Sequence, residues 1–89
     1  MKFLIDNNLE KKGNINKKIY VDPGHGGNDP GATGNGLVEK VVNLRMANAL
    51  RDILVYLGAE VKMSRKSNST FKTIHDRADE ALNWGADLF

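Results

Sequence analysis

Eighty-nine residues, 40% of them apolar, make one small domain or part of one, with a thin core, because a short chain buries a smaller share of its surface. Thirteen basic against eleven acidic residues leave a net charge of +2, too even to point to nucleic acid, and no basic stripe with interleaved aromatics supports such a partner. The absence of cysteine excludes a disulfide framework and cysteine-based zinc sites, and is silent on compartment.

The chain opens with a polar leader, residues 1–17, expected to be flexible, with a short strand conceivable at Lys2–Ile5. The apolar run Phe3-Leu4-Ile5 is far shorter than the roughly 7–15 residues of a signal peptide core. No stretch approaches the roughly 18 apolar residues of a membrane span. Lys18-Ile-Tyr-Val-Asp22 is β-rich and stops at Pro23, which cannot continue a ladder, so it reads as strand one. Residues 23–36 read as loop, and the stretch from Val21 to Glu39 holds six of the nine glycines. A long compact loop of this kind in a small domain is more often functional than decorative.

From Leu37 to Leu57 the period is helical. Val38, Val42, Met46, Ala49, Leu50, Ile53 and Leu57 share one face, Lys40 and Arg51 point away, and Gly58 stops the helix. On that wheel Glu39 falls inside the apolar arc. A first-turn acid that merely complements the helix dipole would be exposed, whereas an inward carboxylate needs a partner. Glu60–Ser64 alternates and reads as strand two, and residues 65–69 are loop. Ser69 or Thr70 is expected to cap a second helix ending near Trp84, with Ile74, Ala78, Ala81 and Leu82 as its buried stripe and Gly85 as its stop. Asp87-Leu-Phe89 reads as the opening of strand three.

The predicted order is β-α-β-α-β, an α/β arrangement with a parallel sheet and right-handed crossovers. In such sheets ligands bind beyond the carboxyl ends of the strands. His25 follows strand one, Glu39 opens the helix fed by the same loop, and Arg65 follows strand two. All three therefore belong to one edge.

His25 and Glu39 suit a zinc site of the two-histidine, one-glutamate type, in which three protein ligands leave a position for water. The plainer alternative is a turn histidine with no ligand. The glycine-rich loop is also a candidate phosphate cradle, but Gly24-His-Gly26-Gly27-Asn-Asp29 lacks the last glycine of a dinucleotide fingerprint and no Gly-Lys-Ser/Thr follows. Arg65 is a candidate for binding an anionic substrate group, against the commoner surface arginine. His75 reads as a partly buried, hydrogen-bonded helix residue rather than a ligand. Asp22 and Asp29 read as turn residues, Trp84 as core or rim, and Met46 and Met63 as core filler.

Asp22-Pro-Gly-His-Gly-Gly27, Asp29-Pro-Gly-Ala32, Gly36-Leu-Val-Glu39, Asn43-Leu44, Ser64-Arg65 and Arg77 followed by Ala86-Asp-Leu-Phe89 together resemble the zinc-dependent N-acetylmuramoyl-L-alanine amidases, from Lys18 to Phe89. The resemblance implies that His25 and Glu39 are the first and second ligands of a zinc cofactor, while His75 matches no ligand. It implies hydrolysis of the amide between N-acetylmuramic acid and L-alanine in peptidoglycan, with zinc polarising the carbonyl and activating a water and a glutamate as general base. In the family a Ser-Ile-His segment after the Ala-Asp-Leu-Phe strand gives the third ligand, and the glutamate base comes later. Neither lies within these 89 residues. Residues 18–89 are thus expected to be the N-terminal part of an amidase catalytic domain, the first part of a larger three-layer α/β fold, inactive as it stands. An extracellular or cell-wall location follows from the implied substrate, reached without a visible signal peptide. A lysin released from the cytoplasm by lysis, or a spore-maturation enzyme, would both fit.

Overall fold

A computed structural model describes residues 13–89, so the conceivable strand at Lys2–Ile5 lies outside the described residues. The described end of the leader, residues 13–17, forms no strand. It is tied to the end of the long helix, where Ile15 donates to the Leu57 carbonyl at 2.9 Å.

Strand β1, Lys18–Val21, pairs in parallel with β4, Glu60–Met63, with Ile19 opposite Val61 and Val21 opposite Met63. Its other edge meets the chain end through a parallel bridge from Ile19 to Leu88, and Tyr20 donates to the Leu88 carbonyl at 2.8 Å. Strand β1 is therefore central. Alternation along it sends Val21 to one face and Tyr20 to the other. On the first face Val21 and Met63 pack with Leu44 and Ala47 of helix α1, Glu39–Tyr56, and Ile19, Val61 and Leu54 complete the cluster. On the second face the Tyr20 hydroxyl donates to Glu80 of helix α2, Ile74–Trp84, at 2.6 Å, and its ring stacks on Phe89. A parallel sheet with a helix on each face is the expected α/β architecture.

Three local expectations change. The loop from 23 to 36 contains a hairpin, β2 Thr33–Gly34 antiparallel to β3 Leu37–Val38. The two turn residues, Asn35 and Gly36, both have positive φ (51° and 75°), as a two-residue hairpin turn matching the strands' right-handed twist requires. Helix α1 consequently starts at Glu39 rather than Leu37. Helix α2 starts after Thr73, not after Ser69 or Thr70. The Thr73 hydroxyl accepts from the Asp76 N–H and the Asp76 carboxylate accepts from the Thr73 N–H, a reciprocal cap that fixes the boundary. Gly58 and Gly85, at φ 97° and 82°, end the two helices as expected.

The buried stripes also differ. In α1 the buried residues are Leu44 and Ala47, while Met46 is 67% exposed and Leu50 and Leu57 are exposed too. The helix carries apolar residues on more than one side, and contact with the β1–β4 face selects the Leu44 side. In α2 the buried residues are Arg77 and Ala81, with Ile74 84% and Leu82 77% exposed. Ala81 is buried as expected, but the Tyr20–Glu80 bond and the contacts of Arg77 turn that helix so that Ile74, Ala78 and Leu82 of the predicted stripe face outward.

Candidate metal centre

Beyond β1 the chain makes a tight turn in which the Gly26 and Asp29 backbones bond each other in both directions, at 2.8 and 2.9 Å. His25 sits at φ 66°, a left-handed conformation uncommon for a residue with a side chain. The turn brings the Asp29 carboxylate back to the ring, with Oδ2 2.9 Å from Nδ1. The other ring nitrogen, Nε2, lies 3.1 Å from Oε1 of Glu39.

Glu39 reaches this position through the hairpin. Its N–H donates to the Ala32 carbonyl, the Lys40 N–H donates to the Pro30 carbonyl, and Glu39 Oε1 accepts the Ala32 N–H at 2.8 Å. The first N–H groups of α1, which have no partner within the helix, are thus satisfied by the loop that holds His25. Glu39 is half-exposed at the rim, not within the core as its helical angle suggested. It meets His25 because loop and helix start are stitched together. Gly31, at φ 70°, passes so close that a Cβ there would stand 2.6 Å from Glu39 Oε1 and 2.7 Å from His25 Cδ2.

The charges reinforce one another. The Asp29 hydrogen bond chiefly, opposed by desolvation and helped by the charges of Asp29 and Glu39, raises His25 above the ordinary histidine range. The His25 bond lowers Asp29, and the Ala32 N–H lowers Glu39. The ring therefore faces a carboxylate on each nitrogen.

The donor set suits zinc. Two ligands at about 2.0–2.2 Å from one ion in tetrahedral geometry stand roughly 3.3 Å apart, close to the 3.1 Å between Nε2 and Oε1. A ligating histidine commonly gives its second nitrogen to a carboxylate that fixes ring orientation, which is the place Asp29 occupies. Among the described residues no group of three or more His, Cys, Asp or Glu side chains is arranged to hold a metal ion. Asp29, expected only as a turn residue, is the hydrogen-bond partner of the His25 ring. Its signal was the four-residue spacing from His25 within a glycine-rich turn.

Arg65 is not placed to meet a substrate. It is 3% exposed, and all its N–H donors point to protein acceptors, including the carbonyls of Pro23, Gly24 and Lys40. Burial, with the nearby Arg77 charge, lowers its pKa. Arg65, two residues past β4, turns inward because the carbonyls of the His25 loop have left the ladder and need donors. His75, expected partly buried, is exposed, and with His25 it lines an open groove between the loop and the start of α2. Asp22 accepts from Ser64 and Arg77, both at 2.7 Å. A phosphate cradle is not favoured: the N–H groups of Gly26, Gly27, Asp29, Gly31, Ala32, Glu39 and Lys40 are all taken by protein oxygens.

A family model described as N-acetylmuramoyl-L-alanine amidase matches residues 19–89. The sporulation-specific N-acetylmuramoyl-L-alanine amidase of Bacillus subtilis is 54% identical over 74 residues, covering 81% of this chain and 29% of that protein. The amidase AmiA of Escherichia coli is 44% identical over 80 residues, covering 89% of this chain and 27% of that protein. Among solved structures, the amidase AmiC2 of Nostoc punctiforme superposes with a TM-score of 0.74 at 33% identity, over 83% of this chain and 41% of that one. The CwlD amidase of Clostridioides difficile, solved in complex with the GerS lipoprotein, gives a TM-score of 0.60 at 34% identity, over 76% of this chain and 39% of that one. The chain spans under a third of the length of the two curated relatives.

Proposed function

Because the chain belongs to the N-acetylmuramoyl-L-alanine amidase family, we propose that it supplies two protein ligands of a zinc ion, His25 through Nε2 and Glu39 through Oε1. The ion serves a hydrolase that cleaves the amide between N-acetylmuramic acid and L-alanine in peptidoglycan. The observation that carries this reading is the convergence of Nε2 and Oε1 at 3.1 Å while Nδ1 is held by Asp29. Held by His25 and Glu39, zinc would supply Lewis-acid chemistry, polarisation of the amide carbonyl and activation of a water. Asp29 holds Nδ1 and would thereby leave Nε2 free to ligate the ion. Glu39 brings the negative charge that offsets the cation, and its bond from the Ala32 N–H keeps Oε1 on the His25 side.

The third ligand and the glutamate base come from the part of the relatives' domain that these residues do not span. By themselves the 89 residues bind zinc weakly and turn over no substrate. The site works at the cell wall, outside the membrane. No helix among the described residues is long and apolar enough to cross one.

The test is an assay on purified peptidoglycan with zinc, using this chain within a domain of the relatives' full length. New amino-terminal L-alanine is expected, and Glu39→Ala is expected to remove both the activity and most of the zinc affinity. No new L-alanine termini would overturn the amidase reading. Unchanged zinc content in Glu39→Ala would remove Glu39 from the site. Turnover by the 89-residue chain alone would refute its inactivity.

A further inference from the structure

Two guanidinium groups lie beneath the His25 loop, and neither takes part in the ligand set. Arg65 Nη2 donates to the Gly24 carbonyl at 2.7 Å and to the Lys40 carbonyl at 2.9 Å. Gly24 immediately precedes His25, and Lys40 immediately follows Glu39. One nitrogen atom therefore ties together the two backbone segments that carry the proposed ligands. Arg65 Nε donates to the Pro23 carbonyl at 3.0 Å, and the same carbonyl accepts from Arg77 Nη1 at 3.1 Å. Arg77 Nη2 donates to the His25 carbonyl at 2.9 Å. Three consecutive carbonyls, of Pro23, Gly24 and His25, are thus all held by arginine.

The arrangement is costly to build unless position matters. Both arginines are nearly buried, Arg77 at 5% exposure, and Asp22 is the carboxylate paired with Arg77. Burying a cation is tolerated only when its donors are satisfied, and here carbonyl oxygens do most of that work. A lysine would keep the charge but not the planar fork that bridges several carbonyls at fixed separation. Gly26 leaves the space for the fork, since a Cβ there would stand 2.9 Å from Arg65 Cδ.

We propose that Arg65 and Arg77 are the positioning residues of the zinc site: Arg65 sets the separation of the His25 and Glu39 backbones, and Arg77 holds His25 in its left-handed conformation. This rests on the zinc reading above, and the two are separable by experiment. Zinc is titrated into the 89-residue chain, and the His25 ring nitrogens are followed by 15N NMR. In the parent chain zinc should move Nε2 far more than Nδ1. In Arg65→Lys and in Arg77→Lys the apparent zinc affinity should fall ten- to a hundredfold, the range seen when outer-shell partners of a metal ligand are removed. Amide exchange in β1 and β4 should stay at the parent level. A role confined to folding would lower exchange protection throughout and leave the preference for Nε2 intact, which would overturn the proposal. So would parent-like zinc affinity in both variants. No variant is needed for the second measurement: in the parent the Arg65 guanidinium protons should exchange slowly, with contacts to Gly24 and Lys40. Fast exchange and free rotation there overturn the proposal even if both variants fail to fold. If zinc moves neither ring nitrogen in the parent, it is the metal reading that falls, and the positioning role falls with it.

Discussion

At the His25 rim every carbonyl from Pro23 to His25 is held by a buried guanidinium, and both ring nitrogens face carboxylates. Along the two helices, the apolar side chains of Met46, Leu50, Ile74 and Leu82 stand exposed. Local sequence pattern marks both regions strongly, the first by glycine and the second by apolar periodicity. Only in the first is geometry over-determined. Hydrophobic burial is non-directional, so an apolar stripe records that a face is meant to be covered without fixing any atom. Directional hydrogen bonds from buried cations fix particular atoms, as a ligand set for a metal requires.

Four substitutions probe that contrast, and the largest effect is expected at Gly31. A Cβ in Gly31→Ala would enter the space between Glu39 Oε1 and His25 Cδ2, at a φ of 70° that alanine adopts poorly. The zinc-dependent shift of the His25 ring should vanish, and stability in urea should fall by about 1–2 kcal/mol from the backbone conformation alone. Retained zinc binding would show that the rim tolerates more than its contacts suggest. Asp29→Ala should come next. It frees Nδ1 and removes the partner of the Gly31 N–H, lowering zinc affinity ten- to a hundredfold while the β1–β4 amides keep their protection. Equal zinc affinity in parent and variant would reduce Asp29 to a turn residue.

Tyr20→Phe tests a polar contact away from the rim. Burial first, then the Glu80 carboxylate, raises the Tyr20 phenol well above its ordinary value of 10.0. The folded state then holds a proton that the unfolded chain releases. The stability this provides is complete below pH 10 and is lost as pH rises past it. Removing the hydroxyl should cost about 1 kcal/mol near neutral pH and abolish the alkaline loss, both readable from urea melts across pH. A variant that loses stability above pH 10 as the parent does would place the titration elsewhere. The smallest change is expected for Ile74→Ser, on a side chain 84% exposed, which should alter stability by less than about 0.5 kcal/mol. A larger loss would mean that this exposed position at the start of α2 is covered in solution, and would end the contrast.

Much of the candidate site was legible in the chain. Pro23 and the glycines marked the turn, and His25 and Glu39 were brought to one sheet edge by element order alone. Two further signals lie in the chain. Asn35-Gly36 is a strong two-residue hairpin signature, and Thr73 followed three residues later by Asp76 is a reciprocal cap. Together they mark the starts of both helices, at Glu39 and Ile74. The helical angle of Glu39 suggested a buried acid, yet its half-exposed position is set by the loop carbonyls that receive the first amides of α1.

By itself the sequence determined what depends on near neighbours: where strands stop, where the backbone turns left-handed, and the alternation that makes the sheet parallel. Dihedral preferences and periodicity act over a few residues and need no partner from elsewhere. The tertiary structure decided which side of α1 meets the sheet and why Arg65 turns inward rather than toward a ligand. Those outcomes depend on acceptors about forty residues away: the carbonyls of Pro23 and Gly24, freed when β1 ends, become donors' targets only after the chain has folded over them.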